Sequence, residues 1–305
     1  MKAAEFFHLV EIRTKTASLL PYLVGTLYAL TQYERFDRLN ALLMLVSLVC
    51  IDLSATILNH LSEVRTPYSV FRLDHMKYSK SGVKFLLAAL LAAAVVCGGW
   101  LAWRTGPIVW FWGVVSFAAA ILYSAGPLPI QRTPLGEAVS AFFMGFVIVF
   151  LACHIHLGGE PFRAYVFGTR FTLELDLERL GEILLVSLPL VTAIGNVMLA
   201  NNISDLAKDL SERRYTLPVL IGRSDALVLF NLSYLAGALA ILTAVLVRAL
   251  PAQALFIAPV YGLVFRRARR FSAAPDKTTT FPLAVHNLNL IGAGLILVLI
   301  SRLVF

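Results

Sequence analysis

The sequence predicts an all-α polytopic membrane protein, a helical bundle with about nine transmembrane helices. Three observations carry this. Hydrophobic residues make up 59% of the 305 and charged residues only 14%, whereas a soluble domain carries about 25% charged residues. The apolar residues fall into blocks of the length that crosses a bilayer, ~20 residues. The basic residues concentrate in every second loop.

The blocks are Thr16–Gln32, Leu39–Leu61, Gly82–Trp103, Pro107–Tyr123, Ala138–Leu157, Gly181–Asn201, Ala226–Val247, Ala252–Phe265 and Phe281–Val304. The eighth is short, and Leu250-Pro251 before it reads as a tight turn pairing it with the seventh. With the N-terminus inside, one set of loops holds 18 of the 26 Lys and Arg residues. That excess marks the set as cytoplasmic and predicts a cell-membrane protein with its N-terminus in the cytoplasm. Retention of cations on one face accounts for the net charge of +8, so membrane lipid is an expected partner and nucleic acid is not.

Met1–Glu11 lacks the long apolar stretch and small-residue cleavage site of a signal peptide and reads as an amphipathic lead-in on the membrane surface. Cys50, Cys97 and Cys153 sit singly in separate spans, which implies neither a disulfide nor a zinc site. No Ser- or Gly-rich linker divides the chain, so residues 1–305 are expected to form one integral domain. The long outer loop Gly158–Leu180 includes Phe171-Thr172-Leu173-Glu174-Leu175, whose alternation suits an extended strand.

The chemistry lies at the cytoplasmic ends of spans two and six. Span six ends in Asn201-Asn202-Ile203-Ser204-Asp205-Leu206-Ala207-Lys208-Asp209. Asn201, Asp205 and Asp209 are four residues apart, a spacing that on a continuous helix forms a short ladder advancing about 40° per step. Span two carries Asp52, Thr56, Asn59 and Glu63 within an arc of about 60°. Polar groups in hydrocarbon are costly, so neither seam should face lipid; a shared water-accessible cavity opening to the cytoplasm is the cheapest arrangement. Carboxylates with amide oxygens beside them suit Mg²⁺ held jointly with a phosphate-bearing substrate. Asp205 and Asp209 by themselves also fit a solvated helix end, and Asp52 also fits a buried, hydrogen-bonded acid.

Arg65, Arg72 and Lys77 follow span two, and Lys208, Arg213, Arg214 and Arg223 follow span six. Each alone fits a topology anchor; together they supply the cations that a diphosphate needs. Tyr123 opens a Gly- and Pro-rich loop on the same face, Glu137 stands where it favours a helix dipole, and Asn287 lies in span nine. Tyr123 fits a cavity wall or an interface anchor, and Asn287 fits a cavity residue or a helix-to-helix hydrogen bond. His154 and His156 fall at the outer end of span five, away from the acids.

The run from Asn201 through Asp209 to Arg214-Tyr215-Thr216-Leu217-Pro218-Val219 and Ile221-Gly222-Arg223 resembles the second aspartate motif of the UbiA superfamily of intramembrane prenyltransferases. Glu11–Ser18, the Tyr123–Pro129 and Leu135–Glu137 loop, and Lys277-Thr278 with Phe281, Ala284-Val285 and Asn287 agree, and the match is closest to the MenA branch. The resemblance implies a nine-helix bundle with a central cavity, Mg²⁺ dependence, and transfer of a polyprenyl group from its diphosphate to an aromatic acceptor, 1,4-dihydroxy-2-naphthoate in that branch, yielding demethylmenaquinone. It implies that Asn201, Asn202, Asp205 and Asp209 hold Mg²⁺ with Asn59 and Glu63, and that Arg65, Arg72, Lys77, Lys208, Arg213, Arg214, Tyr123 and Asn287 line the substrate site. The first motif departs from the family: Asn59-His60-Leu61-Ser62-Glu63 has Glu in place of Asp, and Pro67 stands where a third acid is common. Competing readings are the same chemistry on 4-hydroxybenzoate, haem, a chlorin or a lipid headgroup, an ion-coupled transporter using Asp52 and Asp205, or a non-catalytic lipid-binding relative.

Overall fold

The computed structural model describes residues 15–63, 80–124, 129–158, 162–167 and 169–304. The helices are α1 (Thr16–Tyr33), α2 (Arg38–Glu63), α3 (Lys80–Thr105) and α4 (Pro107–Ser124), then α5 (Gly136–His154), α6 (Leu177–Ser204) and α7 (Leu206–Ser211), and finally α8 (Leu217–Leu246), α9 (Ala258–Ala273) and α10 (Phe281–Val304). Among the described residues seven helices are long and apolar enough to cross a membrane: α2–α6, α8 and α10. Helices α1 and α9 occupy the sequence positions of the first and eighth expected spans. The expected all-α polytopic membrane bundle is therefore observed.

The chain forms two compact units, one of residues 1–15 with 38–130, the other of 16–37 with 131–305. In the first, α2 packs on α3 through Leu53, Ile57 and Val83, and Ser47 Oγ donates to the Ala94 carbonyl at 2.9 Å. Gly106, with φ +100°, makes the single-residue turn between α3 and α4, a conformation that disfavours a side chain; Pro107 then starts α4 with its φ already suited to a helix. Only 17% of the best apolar window of α3 is buried by protein, so its remaining apolar surface suits lipid.

In the second unit α6 is the most enclosed span, with 56% of its window buried. Asp176 caps its start, accepting from the Arg179 amide at 3.0 Å. Asn196 ties α6 to α8 by donating to the Phe230 carbonyl at 2.9 Å, and Phe230 packs on Phe271 of α9 with centroids 4.9 Å apart. On α5, Phe142, Phe146, Phe150 and His154 stack successively at i, i+4 spacing, with centroids 5.4 to 6.0 Å apart. The middle of α5, Ala141–Val147, is a π-helical stretch. Between α5 and α6, the antiparallel hairpin of β1 (Phe162–Phe167) and β2 (Arg170–Leu175) pairs Phe162 with Leu175 and Phe167 with Arg170. The extended segment expected in the outer loop is the second of these strands.

Two boundaries differ from the sequence expectation. The eighth apolar block begins as a 3₁₀ turn, Ala252–Ile257, and its helix continues through Arg266–Arg270 rather than ending before them. Arginine is a good helix former, and hydropathy alone had marked the charged run as loop. The second difference is a break inside α8 at Gly222, where φ 84° and ψ 159° are accessible essentially to glycine alone.

His156 lies just past α5. Its Nδ1 accepts from the Asp37 amide at 3.1 Å, its ring packs on Phe36, and its Nε2 is buried without a hydrogen bond among the described residues. Burial lowers its pKa from 6.5 to about 4, with Asp37 opposing. The sign follows from linkage: the unfolded chain takes up a proton below about pH 6.5 that the fold resists, so stability falls with pH and the loss levels off below about pH 4. Replacing His156 with Gln is expected to flatten the pH dependence of the melting temperature across that interval; an unaltered slope would exclude His156 as its source.

Candidate active site at the end of α6

The polar run at the end of α6 does not form one straight ladder. The helix ends at Ser204, Asp205 takes φ −94° and ψ 7°, and α7 begins at Leu206. The hydrogen bonds from the Asp205 amide to the Asn201 carbonyl (3.0 Å) and from the Asp209 amide to the Asp205 carbonyl (2.8 Å) survive, while Asp205 itself leaves helical geometry. The side chains divide into two groups accordingly.

In the first group, Asn201 Oδ1 and Asp205 Oδ2 converge on the ammonium of Lys277, the latter at 2.5 Å. Asn201 Nδ2 donates to Asn202 Oδ1 at 3.3 Å, and Asn202 Nδ2 donates to Glu137 Oε1 of α5 at 2.7 Å. One connected network thus joins the segment before α10, the end of α6 and the start of α5. Asn202 and Glu137 are buried, while Lys277 and Asp205 keep 42% and 21% side-chain exposure. The charged end of the network is therefore open to an incoming ligand.

The segment that carries Lys277 is fixed locally. Asp276 Oδ1 accepts from the amides and hydroxyls of Thr278 and Thr279 at 2.7 to 3.0 Å. These bonds hold its carboxyl well below the usual aspartate range, those from Thr279 most strongly. The Asp276 amide donates to Thr280 Oγ1, and the Asp276 carbonyl accepts from the Phe281 amide, both at 2.8 Å. The Lys277 ammonium lies 5.1 Å from the Phe281 ring centroid, a cation–π distance.

In the second group, Asp209 is 1% exposed; its Oδ2 accepts from Thr216 Oγ1 at 3.1 Å and its Oδ1 lies 3.5 Å from Arg214 Nη1. Burial raises its pKa, and Arg214 and Thr216 pull it back. Arg214 also reaches Glu212 at 3.9 Å, and the Tyr215 amide donates to the Arg132 carbonyl at 3.0 Å, tying this loop to the turn before α5.

The remaining sequence candidates divide between the two units. Lys208 and Arg213 are exposed near the junction. Asn287 is 1% exposed inside the helix packing, its Nδ2 donating to the Val264 carbonyl at 3.3 Å. In the other unit Tyr123 is half-buried near the end of α4, Asn59 is half-buried on α2, and Glu63 closes that helix. Asp52 and Thr56 of the same seam take the Lys15 ammonium at 2.8 and 2.6 Å; Asp52 is thus an acid with a fixed counter-ion. The Glu63 side chain and all of Arg65, Arg72 and Lys77 lie outside the described residues.

From sequence Lys277 stands only within a motif, and Glu137 fits a helix dipole or the Leu135–Glu137 loop. The Lys277 signal was available: Asp276 followed by three threonines before Phe281 is a turn that positions its own second residue. Nothing in the primary structure pairs Glu137 with Asn202, because the two are 65 residues apart.

Whether the donors suit a divalent metal can be judged from the stand-in cation. An amide oxygen and a carboxylate oxygen from one helical turn already share the Lys277 ammonium. Among the described residues no three Asp, Glu, His or Cys side chains cluster as a metal cage. The amide oxygen of Asn201 and the carboxylate oxygen of Asp205 are hard donors of the kind that Mg²⁺ takes beside waters and substrate phosphates.

Known proteins agree with this architecture. The model of the UbiA prenyltransferase family matches residues 18–291. The 1,4-dihydroxy-2-naphthoate octaprenyltransferase of Bacillus subtilis (strain 168) is 28% identical over 243 residues, 75% of this chain and 69% of that protein. Among solved structures, a UbiA homolog from Aeropyrum pernix K1 superposes with TM-score 0.68 at 18% identity, covering 94% of this chain and 98% of that one. A UbiA homolog from Archaeoglobus fulgidus bound to GPP and Mg²⁺ superposes with TM-score 0.61 at 14% identity, covering 99% of this chain and 100% of that one. The polytopic helices, the oxygen donors at the end of α6 and the family match over most of the length lead to one conclusion: this chain belongs to the UbiA prenyltransferase family and is an integral-membrane polyprenyltransferase.

Proposed function

We propose that the protein transfers a polyprenyl group from its diphosphate to 1,4-dihydroxy-2-naphthoate with Mg²⁺, giving demethylmenaquinol, the two-electron-reduced form of demethylmenaquinone, at the cytoplasmic face of the cell membrane. The observation that carries the chemistry is the convergence of Asn201 Oδ1 and Asp205 Oδ2 on one cation. The acceptor rests on likeness to the Bacillus subtilis enzyme and its name. Residues 1–305 act as one catalytic domain in this reading, supported by a family match that runs through both compact units.

Asn201 and Asp205 hold the metal, with Asn202 and Asp209 on adjacent turns and Asn59 and Glu63 contributing from the first motif. Bound Mg²⁺ supplies positive charge to the departing diphosphate. Lys277 neutralises Asp205 before substrate arrives and is then available to a phosphate oxygen. Arg65, Arg72, Lys77, Lys208, Arg213 and Arg214 supply the remaining cations. The allylic C–O bond breaks with its electron pair leaving on diphosphate; an electron-rich ring carbon of the naphthoate attacks the allylic cation, and CO₂ is lost. Aromatic faces stabilise such a cation. The column of rings on α5 begins five residues after Glu137 and supplies them, with Tyr123 and Asn287 as further substrate contacts.

Incubating membranes containing the protein with Mg²⁺, a polyprenyl diphosphate and competing acceptors tests the acceptor by product mass. Demethylmenaquinol from the naphthoate, or demethylmenaquinone once air has oxidised it, is expected; a prenylated 4-hydroxybenzoate or lipid headgroup as main product would replace this assignment. Asp205→Asn and Asp209→Asn are each expected to abolish transfer while the protein still inserts in the membrane, and wild-type turnover in both would dismiss the metal role. Lys277→Met removes the competing cation. Without diphosphate it is expected to bind Mn²⁺ roughly 5-fold more tightly by electron paramagnetic resonance, the worth of one solvated charge pair at contact. It should also raise the KM for polyprenyl diphosphate. An unchanged Mn²⁺ affinity would show that Lys277 does not guard the metal donors.

A further inference from the structure

A cleft of about 650 Å³ opens between α8 and α9, lined by Asn231, Leu232 and Leu235 of α8 and by Phe265, Arg269 and Ser272 of α9. It lies wholly within the second unit. Helices α8 and α9 run antiparallel: Phe230 packs on Phe271, and further along a Cβ placed on Gly237 would stand 2.8 Å from the Tyr261 hydroxyl. Moving one turn from Asn231 to Leu235 and one turn from Arg269 to Phe265 therefore goes the same way down the cleft.

That geometry gives the cleft a polarity. Its upper edge is Arg269 with the Asn231–Ser272 pair, joined by a 2.9 Å hydrogen bond. Its lower wall is Leu232, Leu235 and Phe265. Leu232 and Leu235 are 55% and 44% exposed, so the apolar wall faces outward from the helix packing. The upper edge adjoins a strong positive field. Arg266, Arg267, Arg269 and Arg270 follow one another along α9, and Ala226–Pro275 contains no acidic residue. Among the described residues none of these four arginines forms a salt bridge.

We propose that this cleft is a binding site for an anionic phospholipid, its phosphate at Arg269 and the Asn231–Ser272 edge and its acyl chain along Leu232, Leu235 and Phe265. Charge complementarity selects the headgroup, and the outward-facing hydrocarbon wall selects a molecule already in the bilayer. A prenyl diphosphate has a related shape, but its diphosphate travels with a divalent metal, and no carboxylate lines the cleft to receive one.

The test uses the full-length protein in detergent micelles with equal amounts of phosphatidylglycerol and phosphatidylcholine, read by native mass spectrometry. The parent is expected to retain phosphatidylglycerol preferentially. Arg269→Gln should reduce that preference by roughly 5-fold, the effect of one arginine near an anionic surface. Leu235→Trp, which fills the hydrocarbon end, should reduce retention of both lipids. Arg248→Gln, an exposed change at the other end of α8, should leave both values as in the parent. Both cleft positions are exposed, so neither substitution disturbs buried packing. An unchanged preference in Arg269→Gln, or unchanged retention in Leu235→Trp, would overturn the proposal. So would release of bound phosphatidylglycerol by a stoichiometric amount of a non-hydrolysable prenyl diphosphate, which would assign the cleft to the substrate instead.

Discussion

A carboxylate at the end of an apolar helix must be neutralised, and the second unit is organised around how Asp205 and Asp209 meet that demand. Asp205 receives the Lys277 ammonium at 2.5 Å, and Asp209 receives Thr216 and Arg214. The two solutions differ in what they leave available. Lys277 is 42% exposed on a surface segment, so its ion pair with Asp205 is open to solvent; Asp209 is enclosed at 1% exposure. Surface ion pairs are weak and yield to competitors, whereas a buried carboxylate deprived of its partner is costly. Asp205 is thus the more accessible of the two acids, and Asp209 is held by the loop that leads into α8.

Two departures from regular helix make this division possible. At Asp205 the backbone leaves helical geometry for one residue, and beyond it Asp209 accepts from Thr216. At Gly222 the first turn of α8 is detached from the rest of the helix. The Arg214–Thr216 segment is held between these breaks and is tied back to the Arg132 carbonyl. A continuous helix from Ile183 to Leu246 would have carried the same residues without gathering them.

Several polar groups in the interior pair across elements. Asn196 donates to Phe230, Asn287 to Val264, Asn202 to Glu137 and Lys15 to Asp52, each bridging separate helices or segments. In hydrocarbon such groups have no water to turn to, so they specify which elements lie together. For Asp52 this resolves a choice the residue pattern left open, since its charge is already matched within its own unit. Asn287 likewise takes the role of a helix-to-helix tie in addition to any contact with substrate.

Much could be read from the chain before any coordinates. The spans follow from hydrophobic block length, because bilayer thickness sets helix length directly. The choice of Asn201, Asp205 and Asp209 as candidates follows from the cost of polar groups beside hydrocarbon, and the strand at Arg170–Leu175 from alternation. These are local properties, written in neighbouring residues. The partners of those residues are another matter. Lys277 meets Asp205 across 72 positions and Asn202 meets Glu137 across 65. The helical run of Arg266–Arg270 and the lipid-sized cleft beside it depend on how α9 packs against α8. Periodicity tells each helix which face to hide; only the packed fold brings distant side chains within hydrogen-bonding reach, because pairing energies depend on distances that local sequence does not encode.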